Sequence, residues 1–228
     1  AHSAGGLLIT DWGDRGHMQP LPVSYLGFLH GAEAAWNGAA AELRSDEELA
    51  ALLDHHAFKD PEAGLGEFAL ALGRASDPCN VTAHNVAALF FPIGFPEESL
   101  PLERAPGLTH EAFQAGKSAL ESLQEQRSSL APRSPEAQLA FSELSLALDL
   151  LSCSCELGIL RSQQPVGAPI HALPSELTAE IAVELRALGE RHADLWLVRS
   201  RPGGLVDSVA RLHGLADILQ ADHPPESS

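Results

Sequence analysis

Ten consecutive residues, Thr10-Asp11-Trp12-Gly13-Asp14-Arg15-Gly16-His17-Met18-Gln19, gather more chemically useful side chains than any other stretch of this 228-residue chain. Their types suit a sugar. A tryptophan face stacks on the apolar side of a pyranose ring, a carboxylate accepts two hydroxyl hydrogen bonds, and Arg, His and Gln supply further polar contacts. Gly13 and Gly16 allow the tight turn that would bring them together. Trp12, Asp14, Arg15, His17 and Gln19 are therefore the candidate binding residues. The same string also fits an ordinary strand-to-helix turn with Trp12 plugging a core and Asp14 capping a helix, and residue types alone leave both readings open.

Other chemistry-bearing groups weigh less. Asp54-His55-His56 has the letter order of the Asp-His-His phosphoesterase signature, but that motif needs strand context and further aspartates. Here the triplet falls inside a helical pattern, with His56 on the apolar stripe, so a structural role is expected. Asp46-Glu47 lies in a helix start, where acidic residues face the positive end of the backbone dipole. Asn80-Val81-Thr82 is a formal glycosylation acceptor, and Asn80 equally suits a helix cap. Cys153 and Cys155 are two apart, so on a helix they point in different directions and cannot readily share a metal. With Cys79 they read as buried free thiols, which suits a reducing compartment. The eleven histidines are scattered, and no metal site is expected.

The elements that would position residues 10 to 19 are a strand before and a helix after. Gly6 to Thr10 is a short apolar run that fits a strand buried on both faces, and a strand must find ladder partners for its backbone groups. Pro22 suits a first helical position, with Leu26, Leu29 and Trp36 near one face and Asn37-Gly38 as a stop. From there the reading is helical. Ser45 and Glu48 form a capping box ahead of Leu49, Leu52, Leu53 and His56, and Asp60-Pro61 closes that helix. Shorter helices fit Leu65 to Gly73 and Ala83 to Phe91. Pro92 to Pro106, with four prolines, is an irregular connection.

Three long helical patterns follow. Thr109 caps the first, which carries Phe113, Leu120, Leu123 and Leu130. Ser134-Pro135 opens the second, whose two apolar stripes (Leu139, Leu146, Leu150, Cys153, Leu157 and Leu160 on one side, Phe141, Leu144, Leu148 and Leu151 on another) predict the buried centre of a bundle. Ser175 caps the third, with Leu177, Ile181, Leu185, Leu188, Leu195 and Trp196 facing inward. A last helix spans Leu205 to Ala221, and the tail from Pro224 is expected to be disordered.

Composition agrees with that pattern and excludes some partners. Leucine and alanine dominate, and 14 basic against 31 acidic residues give a formal charge of -17. Such a surface repels phosphate backbones and anionic headgroups, so neither nucleic acid nor a membrane is an expected partner. No apolar run reaches the roughly 18 residues of a membrane span. The chain opens Ala1-His2-Ser3-Ala4-Gly5-Gly6 with no initiator Met and no secretory pattern, and the start is read as a truncation with the compartment encoded upstream.

The run Leu7-Leu8-Ile9-Thr10-Asp11-Trp12-Gly13-Asp14, then Gly16-His17, Gln19 to Tyr25 and Ala35-Trp36-Asn37, resembles the eighth strand, loop and helix of the catalytic barrel in a divergent branch of glycoside hydrolase family 20, the β-N-acetylhexosaminidases. Leu195 to Leu205 resembles a segment of the helical region that follows that barrel. The resemblance implies a mainly α chain: residues 1–38 as the last β/α unit of a truncated (β/α)8 barrel, and 39–228 as an antiparallel helical bundle domain. It implies removal of terminal β-linked N-acetylhexosamine with retained configuration, the substrate's own acetamido group acting as nucleophile and no cofactor taking part. Trp12 would line the pocket of the terminal sugar and Asp14 would bind its outer hydroxyls, where better-known members carry Trp-x-Glu. The family's adjacent catalytic Asp-Glu pair follows the fourth strand, upstream of everything here, so the chain alone is expected to be inactive. A different class also fits: a non-catalytic acidic helical module that binds a basic partner.

Overall fold

The computed structural model describes residues 5–82, 86–98, 100 and 105–221, and within them the protein is mainly helical. Eight α-helices are found among the described residues: α1 (Tyr25–Ala41), α2 (Asp46–Leu52), α3 (Leu65–Gly73), α4 (Phe91–Gly94), α5 (His110–Ser129), α6 (Pro135–Ser162), α7 (Ser175–Arg199) and α8 (Leu205–Gln220). The chain forms two compact units. One takes the residues up to Gly73 with Leu123–Ala147, the other Arg74–Ser122 with Leu148–Ser228.

In the first unit, helix ends are fixed by side-chain acceptors, some close in sequence and some distant. Ser45 Oγ accepts the Glu48 N–H at 3.2 Å while Glu48 Oε2 accepts the Ser45 N–H at 2.9 Å, so the predicted capping box is complete. A π-helical turn, Leu53–Ala57, follows α2. It turns Asp54 inward to 5 % exposure, and Asp54 Oδ1 accepts the Gly66 N–H at 2.8 Å, capping α3 from the neighbouring helix. Helices α2 and α3 cross so closely that a Cβ on Gly66 would collide with the Ala50 carbonyl oxygen. Asp60 accepts the N–H groups of Arg133 (2.6 Å) and Ser134 (3.1 Å), and these hold its carboxyl below the usual carboxylate range. Ser134 Oγ caps α6 through the Ala137 N–H at 3.0 Å, as expected of Ser134-Pro135.

The second unit is built from antiparallel helices. Lys117 pairs with Glu156 at 2.7 Å and His110 meets Ser162 at 3.2 Å, a reversed order that makes the α5 and α6 portions antiparallel. Between those pairs Phe113 lies on Gly158, where any side chain would strike its ring. Likewise Thr178 Oγ1 donates to the Leu219 carbonyl at 2.7 Å and His192 Nε2 meets Ser208 Oγ at 2.9 Å, so α7 and α8 form a hairpin about the turn at Pro202 to Gly204. Helix α6 is the buried element that its two stripes predict: Leu146, Leu148 and Leu157 are fully covered, and Leu150 is 3 % exposed.

Several expectations are corrected. Residues 6 to 10 form no strand; they carry no ladder, because no described neighbour offers one. Trp36 is 93 % exposed and so does not share an inner face with Leu26 and Leu29, and the helical dihedrals break at Asn37 (φ −148°) before the helix resumes to Ala41. His56 is exposed, since the π turn adds a residue and rotates it off the stripe set by Leu49 and Leu53. In place of a helix from Ala83 to Phe91, of which residues 83–85 lie outside the described ones, a 3-10 turn (Ala88–Phe90) runs into α4. Pro92 accounts for this: it lacks an N–H and can only sit in a first helical turn. Asn80 does not cap a following helix; it takes the left-handed conformation (φ 50°) that ends the turn Asp77–Cys79. Pro174 occupies the cap position of α7, making Ser175 its first residue. Leu177 is 52 % exposed because Thr178, one position on, takes the inward place. The tail from Pro224 lies outside the described residues.

Candidate functional site

The stretch from Thr10 to Gln19 folds as a compact turn ahead of α1. Trp12 is 75 % exposed, and its indole N–H donates to Thr10 Oγ1 at 2.9 Å, which fixes the ring against its own backbone strand. Asp14 opens a short 3-10 turn, Asp14–Gly16, and is exposed. Arg15 and His17 are half-buried and both left-handed, at φ 59° and 53°, with Gly16 between them at φ 93°. Two non-glycine residues in that region cost about 1–2 kcal/mol each, so the rest of the turn must hold them there. His17 packs back on the start of the turn: its imidazole lies where a Cβ on Gly13 would stand, so a side chain at position 13 would force His17 to move. Met18, buried to 3 % exposure, anchors the far end.

Asp11 closes the turn, and its part was not read from the sequence. Its carboxylate accepts the Gln19 side-chain amide at 2.9 Å through Oδ1 and the Ser24 hydroxyl at 2.7 Å through Oδ2. Gln19, a candidate sugar contact, thus has its amide nitrogen engaged by Asp11. The five candidates therefore divide. Trp12 and Asp14 are the exposed members, Arg15 and His17 shape the backbone that follows them, and Gln19 belongs to the clamp. The signal that could have marked Asp11 is an acceptor in a helix-free stretch, followed by Gln and Ser just before a helix start; its spacing follows no helical or strand period.

Elsewhere the reactive groups are enclosed. Cys79, Cys153 and Cys155 are free and buried. Burial pushes the Cys155 thiol up to about 12 and raises Cys153 and Cys79 too, so thiolate formation is disfavoured, and Cys155 Sγ donates to the Phe113 carbonyl at 3.3 Å. Asp54 serves as a helix cap, while His55 and His56 stand exposed, ring edge to face at 4.7 Å. Among the described residues, no three His, Cys, Asp or Glu side chains gather as metal ligands. No helix there is long and apolar enough to cross a membrane. Shallow grooves on α7, at Ala179, Val183 and Ala187, and beside α8, at Ala193, Val206 and Val209, involve other residues than the turn.

No family model, curated protein or solved structure matches this chain. The functional reading accordingly starts from the turn itself. An exposed indole and an exposed carboxylate two residues apart can stack a ring and accept its hydroxyls.

Proposed function

We propose that the chain is the carboxyl-terminal part of a glycosidase related to family 20, in which the turn Thr10 to Gln19 forms one wall of the pocket for a terminal β-linked N-acetylhexosamine. One observation carries this reading. Trp12 and Asp14 are both exposed close after Leu7 and Leu8, which are 61 % and 84 % exposed, so the pair adjoins two aliphatic side chains that lie open, while Ile9 packs against Gly31 of α1. Two exposed aliphatic residues in a row are costly in water, at roughly 25 cal/mol per Å² of apolar surface, and a strand on each side would remove that cost. In the intact enzyme, residues 6 to 10 are the last barrel strand, α1 packs as the helix after it, and the helical remainder follows.

In that enzyme Trp12 stacks on the ring and Asp14 accepts its outer hydroxyls. These contacts orient the sugar so that its acetamido oxygen attacks the anomeric carbon, while a glutamic acid from the preceding part of the protein protonates the leaving oxygen. No cofactor takes part.

The test uses the polypeptide that joins this chain to its preceding coding sequence, assayed on p-nitrophenyl N-acetyl-β-D-glucosaminide. Asp14→Ala lowers kcat/KM by about 10- to 1000-fold with unchanged thermal melting, as expected for a charged acceptor in a shielded pocket. Trp12→Ala does likewise. Full activity of Asp14→Ala sinks the sugar-binding role and leaves the segment an ordinary turn.

A further inference from the structure

We infer that Asp11 is a positioning residue of the sugar-binding turn: its two hydrogen bonds hold the turn so that Asp14 stands in its binding geometry beside Trp12, and it makes no sugar contact itself. The inference rests on the functional reading above. Asp11 immediately precedes Trp12 and reaches across the turn to both of the points at which the chain leaves it, Gln19 at 2.9 Å and Ser24 at 2.7 Å. Between those anchors lie the three left-handed residues Arg15, Gly16 and His17. A backbone with two non-glycine residues in that conformation relaxes unless its ends are tied, and the bonds of Asp11 join its beginning to its end. Both carboxylate oxygens are engaged, one by the amide and one by the hydroxyl, so each has a neutral donor and neither needs a cation. The indole is fixed separately, by Thr10. Asp11 therefore sets where the Asp14 carboxylate stands relative to a ring already placed against Trp12.

Hydrogen bonding, and not charge, is what the geometry asks of position 11. An asparagine there accepts the Ser24 hydroxyl through Oδ1 and, once the Gln19 amide rotates, donates to its Oε1. Asp11→Asn should therefore rescue what Asp11→Ala loses.

The experiment again uses the full-length polypeptide and p-nitrophenyl N-acetyl-β-D-glucosaminide, with tryptic cleavage after Arg15 as a readout independent of sugar. Asp11→Ala is expected to speed that cleavage about tenfold and to lower kcat/KM about tenfold, mainly through KM. Asp11→Asn stays within about threefold of the unmodified protein in both. Should Asp11→Ala not fold, Ser24→Ala removes one of the two bonds and gives an intermediate effect. Unchanged kinetics in a cleavable Asp11→Ala overturns the positioning role while leaving the sugar site standing. So does an Asp11→Asn as impaired as Asp11→Ala, since charge would then carry the effect. An unmodified protein that hydrolyses no N-acetylhexosaminide overturns the family reading, and this role with it.

Discussion

Residues 7 to 36 and helix α6 are both rich in large apolar side chains, and they meet opposite fates. Leu8 is 84 % and Trp36 93 % exposed, whereas Leu146, Leu148 and Leu157 on α6 are fully covered and Cys153 and Cys155 nearly so. Local pattern does not make the difference. A helix such as α6 is buried because other helices pack on it, with Phe113 of the antiparallel α5 seated on Gly158 and Asp149 bound by Arg191 at 2.6 Å. Of the segment from Leu7 to Ile9, Ile9 packs against Gly31 of α1 while Leu7 and Leu8 lie exposed. Apolar residues state a demand for cover, and only tertiary partners meet it.

Three substitutions can break or sharpen that contrast. The largest effect belongs to Leu150→Ala: at 3 % exposure in the middle of α6, the lost side chain leaves a cavity costing about 2 to 5 kcal/mol in chemical denaturation. A loss below about 1 kcal/mol would mean that α6 is not the packed element it is described as. Next comes Asp54, whose burial pushes its carboxyl up to about 6, against the hydrogen bonds of Gly66 and Leu65. A folded-state value above the unfolded one, 3.8, means that the folded form holds the proton more tightly. The associated stability is fully present below pH 3.8 and is lost as pH rises through about 6, by at most about 3 kcal/mol. Asp54→Asn keeps the cap acceptor and removes the charge, so the difference in melting between pH 4 and pH 7 should shrink relative to the unmodified chain; an equal pH dependence in both would assign the titration elsewhere. Asp60 runs the other way, its carboxylate stabilising above the ordinary carboxylate range and failing as pH falls below it. The smallest effect is that of Trp36→Ala. In this chain it should change stability by less than about 0.5 kcal/mol, since a side chain so exposed loses little on removal.

What was legible in the sequence was local. Ser45 with Glu48, Thr109 ahead of α5 (Ala112 N–H to Thr109 Oγ1 at 3.3 Å) and Ser134 with Pro135 each act within three residues, and each caps the helix it was expected to cap. Helix α3 has the bounds its apolar spacing predicts, and the double stripe of α6 marked its burial. What failed depended on a register shift or on distance. The π turn rotated His56 outward, Pro92 forced a new helical turn, and Thr178 displaced Leu177 because its hydroxyl had a carbonyl to reach on a helix forty residues away. In the turn from Thr10 to Gln19, residue types marked Trp12 and Asp14, whereas Asp11 could be recognised only once Gln19 and Ser24 stood within hydrogen-bond reach.

The bond from Thr178 to the Leu219 carbonyl has a mechanical consequence. That carbonyl belongs to the last turn of α8, where the helix has no donor left to offer it. A tension applied beyond Ala221 meets this tie before it reaches the buried Leu212, Leu215 and Leu219, so the hairpin resists peeling from its free end. The opposite end turns through Gly203 and Gly204, where the Trp196 indole N–H donates to the Arg201 carbonyl and the Ser208 hydroxyl meets His192, so strain delivered there loads the turn and that contact before it reaches the far end of the hairpin.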